Sequence, residues 1–180
     1  MVGSNPTLPT TSFMKKYYSE ITLKPSILNS LNPSEDLNWK SIHGWDVVEV
    51  PKEVWSLENL LSRVNSEFPI NRVAILNMGP FQNYMWHADD YRGVAINMLL
   101  SHTRSHCLFG YSKDNDNMFF EELIYKPNTF YLFNTQQFHT IINFEDYRYM
   151  LSVEFIQDKS ELNYYDIYWW ARNNNLIVPE

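Results

Sequence analysis

Seven short apolar segments follow one another between residues 72 and 156, and polar or turn-forming residues separate each segment from the next. Runs of this length, bounded by turn residues, are typical of β-strands. The segments are Arg72 to Met78, Gly93 to Leu100, Cys107 to Tyr111, Met118 to Tyr125, Thr129 to Phe133, Phe138 to Asn143 and Tyr147 to Ile156. The succession predicts a mainly β fold, in which two sheets form a jelly roll supported by helices.

Helical spacing is evident outside this series of segments. Leucine and valine recur at helical spacing from Leu57 to Val64, which predicts a helix that has Ser56 as its N-cap and packs on the outside of the sheet. The aromatic-rich residues 160–172 predict a second helix packed on the barrel, although these side chains could also form a dimer surface or a substrate wall. Lys113 to Asn117 is rich in turn-forming residues and predicts a hairpin.

Length and composition favour one folded domain. The chain has 180 residues, of which 44% are hydrophobic and 16% aromatic, and this content argues against intrinsic disorder. Residues 1–12 are rich in Pro, Thr and Ser, so we expect a flexible N-terminal tail there. We expect residues 13–180 to form a single domain whose core spans residues 72–156.

The charge balance disfavours some partners and the chain shows no targeting signal. A formal net charge of -7 argues against a general electrostatic hold on nucleic acid or on an anionic membrane surface. No apolar run approaches the length of a membrane span. The single Cys107 cannot form an intramolecular disulfide and fits a reducing compartment. We therefore expect a cytoplasmic protein without nucleic-acid or membrane partners.

Four residues in the strand-like region have the chemistry of a metal site. His87 and Asp89 shortly precede the apolar segment that starts at Gly93, His139 lies at the start of a later segment, and Arg148 lies at the start of the last. Two imidazoles and one carboxylate can occupy one face of a non-haem Fe(II) ion and leave its other positions open. Alternate side chains of a strand share a face, so we expect His87 and Asp89 to point together into the barrel mouth. An HxD tripeptide alone is common by chance, and the interpretation rests on all four residues occurring in this order.

This order resembles that of the Fe(II)/2-oxoglutarate-dependent oxygenases, which have a double-stranded β-helix (jelly-roll, cupin-like) core. Within that superfamily, the HxDxxRxxxxN stretch at residues 87–97 is similar to small oxygenases of the aspartyl/asparaginyl and prolyl hydroxylase type. The resemblance spans roughly residues 72–156 and lies more in pattern than in identity. It implies that His87, Asp89 and His139 are the catalytic iron ligands. It also implies that Arg148 binds the distal carboxylate of 2-oxoglutarate, a task that suits the planar fork of an arginine.

Three further polar residues are candidates for binding the co-substrate: Arg92, Asn97 and Tyr84. Arg92 could equally form an ion pair with Asp89 or with Asp90.

Arg148 also has an alternative role, as a surface ion-pair partner of Glu145 or Asp146. The two roles differ in burial, because a surface ion pair leaves the guanidinium in water.

The resemblance implies an enzyme that uses Fe(II), 2-oxoglutarate and O₂ to hydroxylate an amino-acid or peptidyl C–H bond, with release of succinate and CO₂. The substrate would be a small molecule or a peptide, and a homodimer is compatible with the aromatic content. Two alternatives stay open: a cupin-type metalloenzyme that does not use 2-oxoglutarate, and a non-catalytic jelly-roll binding protein. A nucleic-acid demethylase would use the same chemistry, but the acidic charge argues against it.

Overall fold

The computed structural model describes residues 17–42, 45–101, 105–114 and 117–177. The described residues form strands and three α-helices, with one short 3-10 turn at Leu28–Ser30. The strands are β1 (Tyr18–Glu20), β2 (Lys40–Ile42), β3 (Trp45–Glu49), β4 (Ile70–Met78), β5 (Asn83–His87), β6 (Ala95–Leu99), β7 (Ser105–Asp114), β8 (Asn117–Ile124), β9 (Phe130–Phe133), β10 (His139–Asn143) and β11 (Arg148–Phe155). The helices are α1 (Lys52–Trp55), α2 (Asn59–Glu67) and α3 (Tyr164–Asn173).

The strands of the described residues form two antiparallel sheets. The larger sheet has the order β1-β9-β6-β11-β4-β3-β2, and the smaller has the order β5-β10-β7-β8. From β4 onwards the chain passes back and forth, so that β4, β6, β9 and β11 lie in the larger sheet and β5, β7, β8 and β10 in the smaller. Two facing sheets connected in this way form a double-stranded β-helix, and the predicted fold class is therefore confirmed.

Two layers of core hold the sheets in place. One layer lies between the larger sheet and the helices, where Leu60 and Leu61 of α2 and Ile167 of α3 belong to the same buried cluster as strand residues such as Leu151. The other layer lies between the two sheets and includes Phe109. Because helices cover one face of the larger sheet and the smaller sheet covers the other, its central strand β11 is buried at almost every position rather than at every second one.

The helices differ in one detail from the sequence-based prediction. Ser56 does not cap the start of a helix, because it terminates α1 through its backbone N–H, and α2 begins only at Asn59. The predicted N-cap is therefore wrong.

The C-terminal helix is present as α3, where Asn163 and Asp166 form a capping box at its first turn. This helix packs mainly into the core, although Trp169 remains 43% exposed.

Some expectations concern residues that the structure does not describe. The predicted N-terminal tail at residues 1–12 lies outside the described residues, and so do positions 115 and 116 of the predicted hairpin turn. The strands on either side of that turn, β7 and β8, are paired antiparallel. The single-domain organisation stays a prediction.

None of the helices in the described residues is long and apolar enough to cross a membrane.

Glu58, directly before α2, is fully buried and acts as a clamp for an earlier part of the chain. Its carboxylate accepts hydrogen bonds from the backbone N–H groups of Ser26, Ile27 and Leu28 at 3.0 to 3.2 Å, and from the Ser26 hydroxyl at 3.1 Å. A charged acceptor that is buried with several donors makes strong hydrogen bonds, and its loss leaves those donors unpaired.

Glu58→Ala is therefore expected to lower the free energy of unfolding by about 3 kcal/mol, since three backbone N–H groups, that of Leu28 buried and those of Ser26 and Ile27 partly buried, lose their acceptor. Urea denaturation would measure the change. Glu53→Ala, at an exposed position in α1, serves as the matched control and should change stability by less than about 0.5 kcal/mol. Equal losses in the two variants would contradict the proposed clamp.

Candidate metal centre

A β-bulge in β5 determines the direction of the His87 side chain. His139 in β10 lies opposite His87, whereas Ile141 lies opposite Tyr84, so β5 contains one residue more than β10 over this stretch. A bulge of this kind re-aims side chains and is common beside functional sites. The rings of Tyr84 and His87 are in contact, with centroids 4.5 Å apart, and both side chains line one cavity. Met85, between them, is 72% exposed.

Asp89 lies in the connection after β5, because that strand ends at His87. The turn before β10 holds this connection: the Asp89 N–H donates to the Thr135 carbonyl at 2.9 Å, and the Gln136 side-chain amide donates to the Asp89 and Arg92 carbonyls at 2.8 and 2.6 Å. The Thr135 hydroxyl also donates to the Arg92 carbonyl. The imidazole and the carboxylate converge as expected, but a clamped loop brings them together rather than strand alternation.

His87, Asp89 and His139 each present one ligand atom, and these atoms lie within 4.8 Å of one another. His87 Nε2 is 3.4 Å from Asp89 Oδ1, and the two imidazole rings have centroids 4.2 Å apart. His139 is only 4% exposed, whereas His87 and Asp89 are partly exposed toward the cavity. The three predicted ligands are therefore brought together in a geometry that could hold one metal ion.

The backbone orients both imidazoles in the same way. The Nδ1 atom of His87 lies 2.8 Å from the Met85 carbonyl, and the Nδ1 atom of His139 lies 2.7 Å from the Gln137 carbonyl. A carbonyl oxygen only accepts, so each Nδ1 must carry the hydrogen and donate it. When such a ring is neutral, its Nε2 atom keeps its lone pair, which is the form that binds a metal.

Burial and neighbouring charges set the protonation of the three groups. Burial lowers the pKa of His139 to about 4, so this ring is neutral at pH 7. Burial also acts on His87, but its hydrogen bonds to the Asp89 carboxylate and the Met85 carbonyl outweigh burial and raise its pKa. For Asp89, burial is opposed and exceeded by the hydrogen bond with His87 and the charge of Arg92, which together lower the pKa of the carboxyl. The carboxylate is thus ionised and available as a ligand.

Arg92 forms an ion pair with Asp89. Its Nε and Nη2 atoms each lie 2.7 Å from Asp89 Oδ2, and Nη1 donates to the Ser152 hydroxyl at 3.3 Å. Because Oδ2 is occupied in this way, Oδ1 is the oxygen that faces His87 and the metal position. A role of Arg92 in binding the co-substrate stays a prediction, whereas its contact with Asp89 matches the alternative considered from the sequence.

Arg92→Gln is expected to weaken Fe(II) binding by roughly 10- to 100-fold, because the Asp89 carboxylate loses the contact that orients it, as for other partners of metal ligands. Anaerobic calorimetric titration with Fe(II) would measure the affinity. Arg72→Gln is the matched control: Arg72 lines the same cavity and forms an ion pair of 2.7 Å with Glu154, but it does not contact Asp89. A similar loss in both variants would refute the orienting role of Arg92.

Arg148 lies deeper in the same cavity and is 1% exposed. Within the described residues, its Nε and Nη1 atoms have no hydrogen-bond partner. The guanidinium lies over the ring of Tyr125, 5.8 Å from its centroid. No ion pair joins Arg148 to Glu145 or Asp146, and its burial contradicts the surface ion-pair alternative.

The groups next to Arg148 do not neutralise its charge. Tyr125 and Cys107 are the ionisable groups that interact with it electrostatically. Burial raises the pKa of Cys107 to about 12 and raises that of Tyr125 further above its ordinary value, so both are neutral at pH 7. A guanidinium stays protonated in proteins, and a buried charge without a partner is costly. The cavity therefore presents a desolvated positive charge with free donors.

The two other predicted co-substrate residues also line the cavity. Asn97, a predicted co-substrate residue, hydrogen-bonds through its side chain with Tyr125, and its Oδ1 has no partner among the described residues. Tyr84, the other candidate, lines the cavity between Trp45 and His87. Sequence reasoning missed Tyr125, whose only signal was a tyrosine at the end of an apolar run.

The cavity has a volume of about 720 Å³ and extends from Arg148, past the three clustered ligands, to the loops at its mouth. Apolar side chains such as Phe133, Ile141 and Met150 line it between the polar groups. A cavity of this size, in which polar groups converge between apolar side chains, is typical of a small-molecule site.

No protein-family model and no curated protein matches the chain. Solved structures do match it. An oxidoreductase of the 2OG-Fe(II) oxygenase family from Burkholderia pseudomallei is similar over 67% of this chain and 71% of its own, with 14% identity and a TM-score of 0.48. A Pseudomonas putida prolyl-4-hydroxylase is similar over 72% and 78%, with 14% identity and a TM-score of 0.46. A Trichoplax adhaerens prolyl hydroxylase, solved with a hypoxia-inducible-factor peptide fragment, is similar over 67% and 66%, with 15% identity and a TM-score of 0.45.

Several solved structures that are similar to this chain are thus 2OG-Fe(II) oxygenases, at low sequence identity. Independently of them, the strand order and the side chains of this chain lead to one description. The protein is a double-stranded β-helix whose cavity contains a His-Asp-His cluster suited to a metal ion and a buried, unpaired arginine.

Proposed function

We propose that this chain is an Fe(II)- and 2-oxoglutarate-dependent oxygenase that hydroxylates an amino-acid or peptidyl C–H bond. Its substrate is a free small molecule or a peptide side chain that reaches the cavity. The observation that carries the proposal is Arg148, a fully buried guanidinium with free donors in the same cavity as the three clustered ligands.

The ligand set fits Fe(II). Two imidazole Nε2 atoms and one carboxylate oxygen are the donors of the facial triad of non-haem Fe(II) oxygenases, and this set leaves positions for other ligands. No thiolate belongs to the cluster within the described residues, which argues against a structural zinc site of the cysteine-rich kind. In this assignment, His87, Asp89 and His139 bind the iron.

The second component is an anion, and Arg148 indicates its chemistry. A buried guanidinium needs a counter-charge, and the neighbouring Tyr125 and Cys107 are neutral at pH 7. A carboxylate matches the fork of an arginine through two parallel hydrogen bonds. A dicarboxylate such as 2-oxoglutarate could place one carboxylate at Arg148 and direct its other end toward the ligand cluster. A cupin-type metalloenzyme that binds no anion would gain nothing from this unpaired charge.

The protein's own groups then do three things in the reaction. Arg148, with Asn97 and Tyr125 beside it, holds and orients the co-substrate. The apolar lining keeps water from the reacting atoms, which suppresses side reactions. Asp89 stays ionised through its contacts with His87 and Arg92. When bound, Fe(II) supplies the redox chemistry by which 2-oxoglutarate, O₂ and a substrate C–H bond become succinate, CO₂ and a C–OH group.

The test is an anaerobic titration of the metal-free protein with Fe(II) and then 2-oxoglutarate, followed by visible absorption. We expect a charge-transfer band that appears only when both are present and that saturates at one equivalent. Firm iron binding without the band would point to a cupin-type metalloenzyme of another chemistry. Absence of metal binding would point to a non-catalytic jelly roll, and either result would overturn the proposal.

A further inference from the structure

The smaller sheet has a second face, which points away from the cavity and carries large apolar side chains. Strand alternation and the β5 bulge turn these side chains outward. We define the outer face by the following residues: Met85, Trp86, His106, Leu108, Phe120, Glu122, Ile124, Phe138 and Ile142. Four of its apolar residues are exposed in the described part of the chain: Met85 by 72%, Ile124 by 68%, Phe120 by 57% and Phe138 by 44%.

Three aromatic rings form a ridge across this face. Trp86 stacks on Phe138 with centroids 5.3 Å apart and contacts Phe120 with centroids 5.6 Å apart. Gly110 of β7 lies between the strands of Phe120 and Phe138, opposite Phe120 and bonded through its N–H to the Phe138 carbonyl. Because Gly110 has no side chain, the three rings can close over it. Aromatic side chains that already pack on one another lose little conformational freedom when a partner covers them.

The outer face is nearly free of net charge, although the whole chain is acidic. Its ionisable residues are His106 and Glu122, which are paired with each other. The chain has a formal net charge of -7, so two copies repel each other over most of their surfaces. Each copy contributes one carboxylate to this face, that of Glu122, which is paired with His106, so identical chains can meet here with little repulsion between like charges.

The apolar area of the outer face matches what a homodimer needs. At about 200 Å² for a large side chain that is fully exposed, the four exposed residues present roughly 500 Å² of apolar surface. Patches of that size are at the upper end for monomeric proteins. A stable interface buries about 800 Å² on each partner, and in homodimers about 65% of it is apolar, which is also about 500 Å².

We propose that the outer face is a homodimer interface, on which the smaller sheet of a second copy packs face to face around a two-fold axis. The occupant is a second copy of this chain because the area suffices and the charge that opposes self-association lies elsewhere. The proposal does not depend on the proposed function, since this face points away from the cavity.

The test is the mass of the wild-type protein and of two variants in solution, measured by sedimentation velocity over a range of micromolar concentrations. We expect the wild type to have twice the mass of one chain. Ile124→Glu buries a charge in the interface and should raise the dimer dissociation constant by more than about 100-fold. Leu57→Glu is the matched control, because Leu57 is 67% exposed and lies outside the outer face; this variant should remain a dimer.

A wild-type protein that is monomeric at all concentrations would overturn the proposal. The outer face would then bind a different partner, not a second copy. An Ile124→Glu variant that stays dimeric, or a Leu57→Glu variant that dissociates equally, also overturns the assignment to this face. Phe120→Gln provides a second variant if Ile124→Glu does not fold, and circular dichroism verifies the folding of each. It too should yield monomers, and dimers of a folded Phe120→Gln protein would contradict the proposal.

Discussion

His139→Ala is expected to reduce the affinity for Fe(II) by more than about 100-fold. Loss of a residue that only hydrogen-bonds to a metal ligand typically costs about 10- to 100-fold, and loss of a ligand itself should cost more. His139 is 4% exposed, and its Nε2 atom belongs to the three-atom cluster. Without it, His87 and Asp89 can offer only two donors. The ring is neutral at pH 7, so its removal does not strand a buried charge, and the variant should fold. Anaerobic calorimetry with Fe(II) would measure the loss.

Ile141→Ala separates loss of a ligand from loss of packing. Ile141 lies two residues further along β10, lines the same cavity and is 9% exposed, but it offers no donor atom. This variant should be destabilised by about 2 to 4 kcal/mol and yet retain Fe(II) affinity. If His139→Ala bound iron as tightly as Ile141→Ala, His139 would not be a ligand.

Arg148→Met is expected to lower the affinity for 2-oxoglutarate by roughly 100-fold or more while leaving Fe(II) affinity unchanged. Two hydrogen bonds to a charged carboxylate together contribute about 3 kcal/mol or more, and each 1.4 kcal/mol is a factor of ten. Methionine has a similar length but no charge, so the shape of the cavity end is largely kept. Titration of the iron-loaded protein with 2-oxoglutarate, followed by the charge-transfer band, would measure the affinity.

Although Arg148→Met should weaken the binding of 2-oxoglutarate, it should make the folded protein more stable. In the absence of ligand, wild-type Arg148 is a buried cation with unpaired Nε and Nη1, so Arg148→Met should raise the free energy of unfolding by about 1 to 3 kcal/mol. Arg72→Met, in the same cavity, removes an arginine that is already paired with Glu154 and should show neither effect. An Arg148→Met protein that is less stable and still binds 2-oxoglutarate normally would identify Arg148 as a structural residue.

Much of the fold could be predicted from the sequence. The seven apolar segments correspond closely to seven strands of the double-stranded β-helix, because short runs of β-formers between turns are a local signal. β5 was harder to predict. Its residues Asn83 to His87 are partly exposed and do not alternate cleanly, since the bulge turns Met85 and Trp86 to the same side. The predicted Ser56 N-cap was wrong because Ser56 ends α1, a short helix that the sequence did not indicate, and α2 begins only at Asn59.

The candidate site, too, could be predicted only in part from the sequence. Residue type and order predicted His87, Asp89 and His139 as candidate ligands, and the structure brings one atom of each within 4.8 Å of the others. The position of Asp89 beside the two histidines could not be predicted, because it depends on a hydrogen bond from the Asp89 N–H to the Thr135 carbonyl and on one from the Gln136 side chain to the Asp89 carbonyl, and both partners are far away in sequence. The proximity of Tyr125 to Arg148 could not be predicted either, because it depends on the pairing of strands that are distant in sequence.

By itself, the sequence determined the strand pattern, the residue types of the candidate metal cluster and the acidic charge, because these depend on neighbouring residues and on composition. Only the tertiary structure decided that Arg148 is buried without a partner rather than paired at the surface. Only it showed that Trp86, Phe120 and Phe138 share an exposed face. Burial and unpaired charge are properties of three-dimensional packing: they depend on which distant strands lie side by side, and no local pattern encodes that pairing.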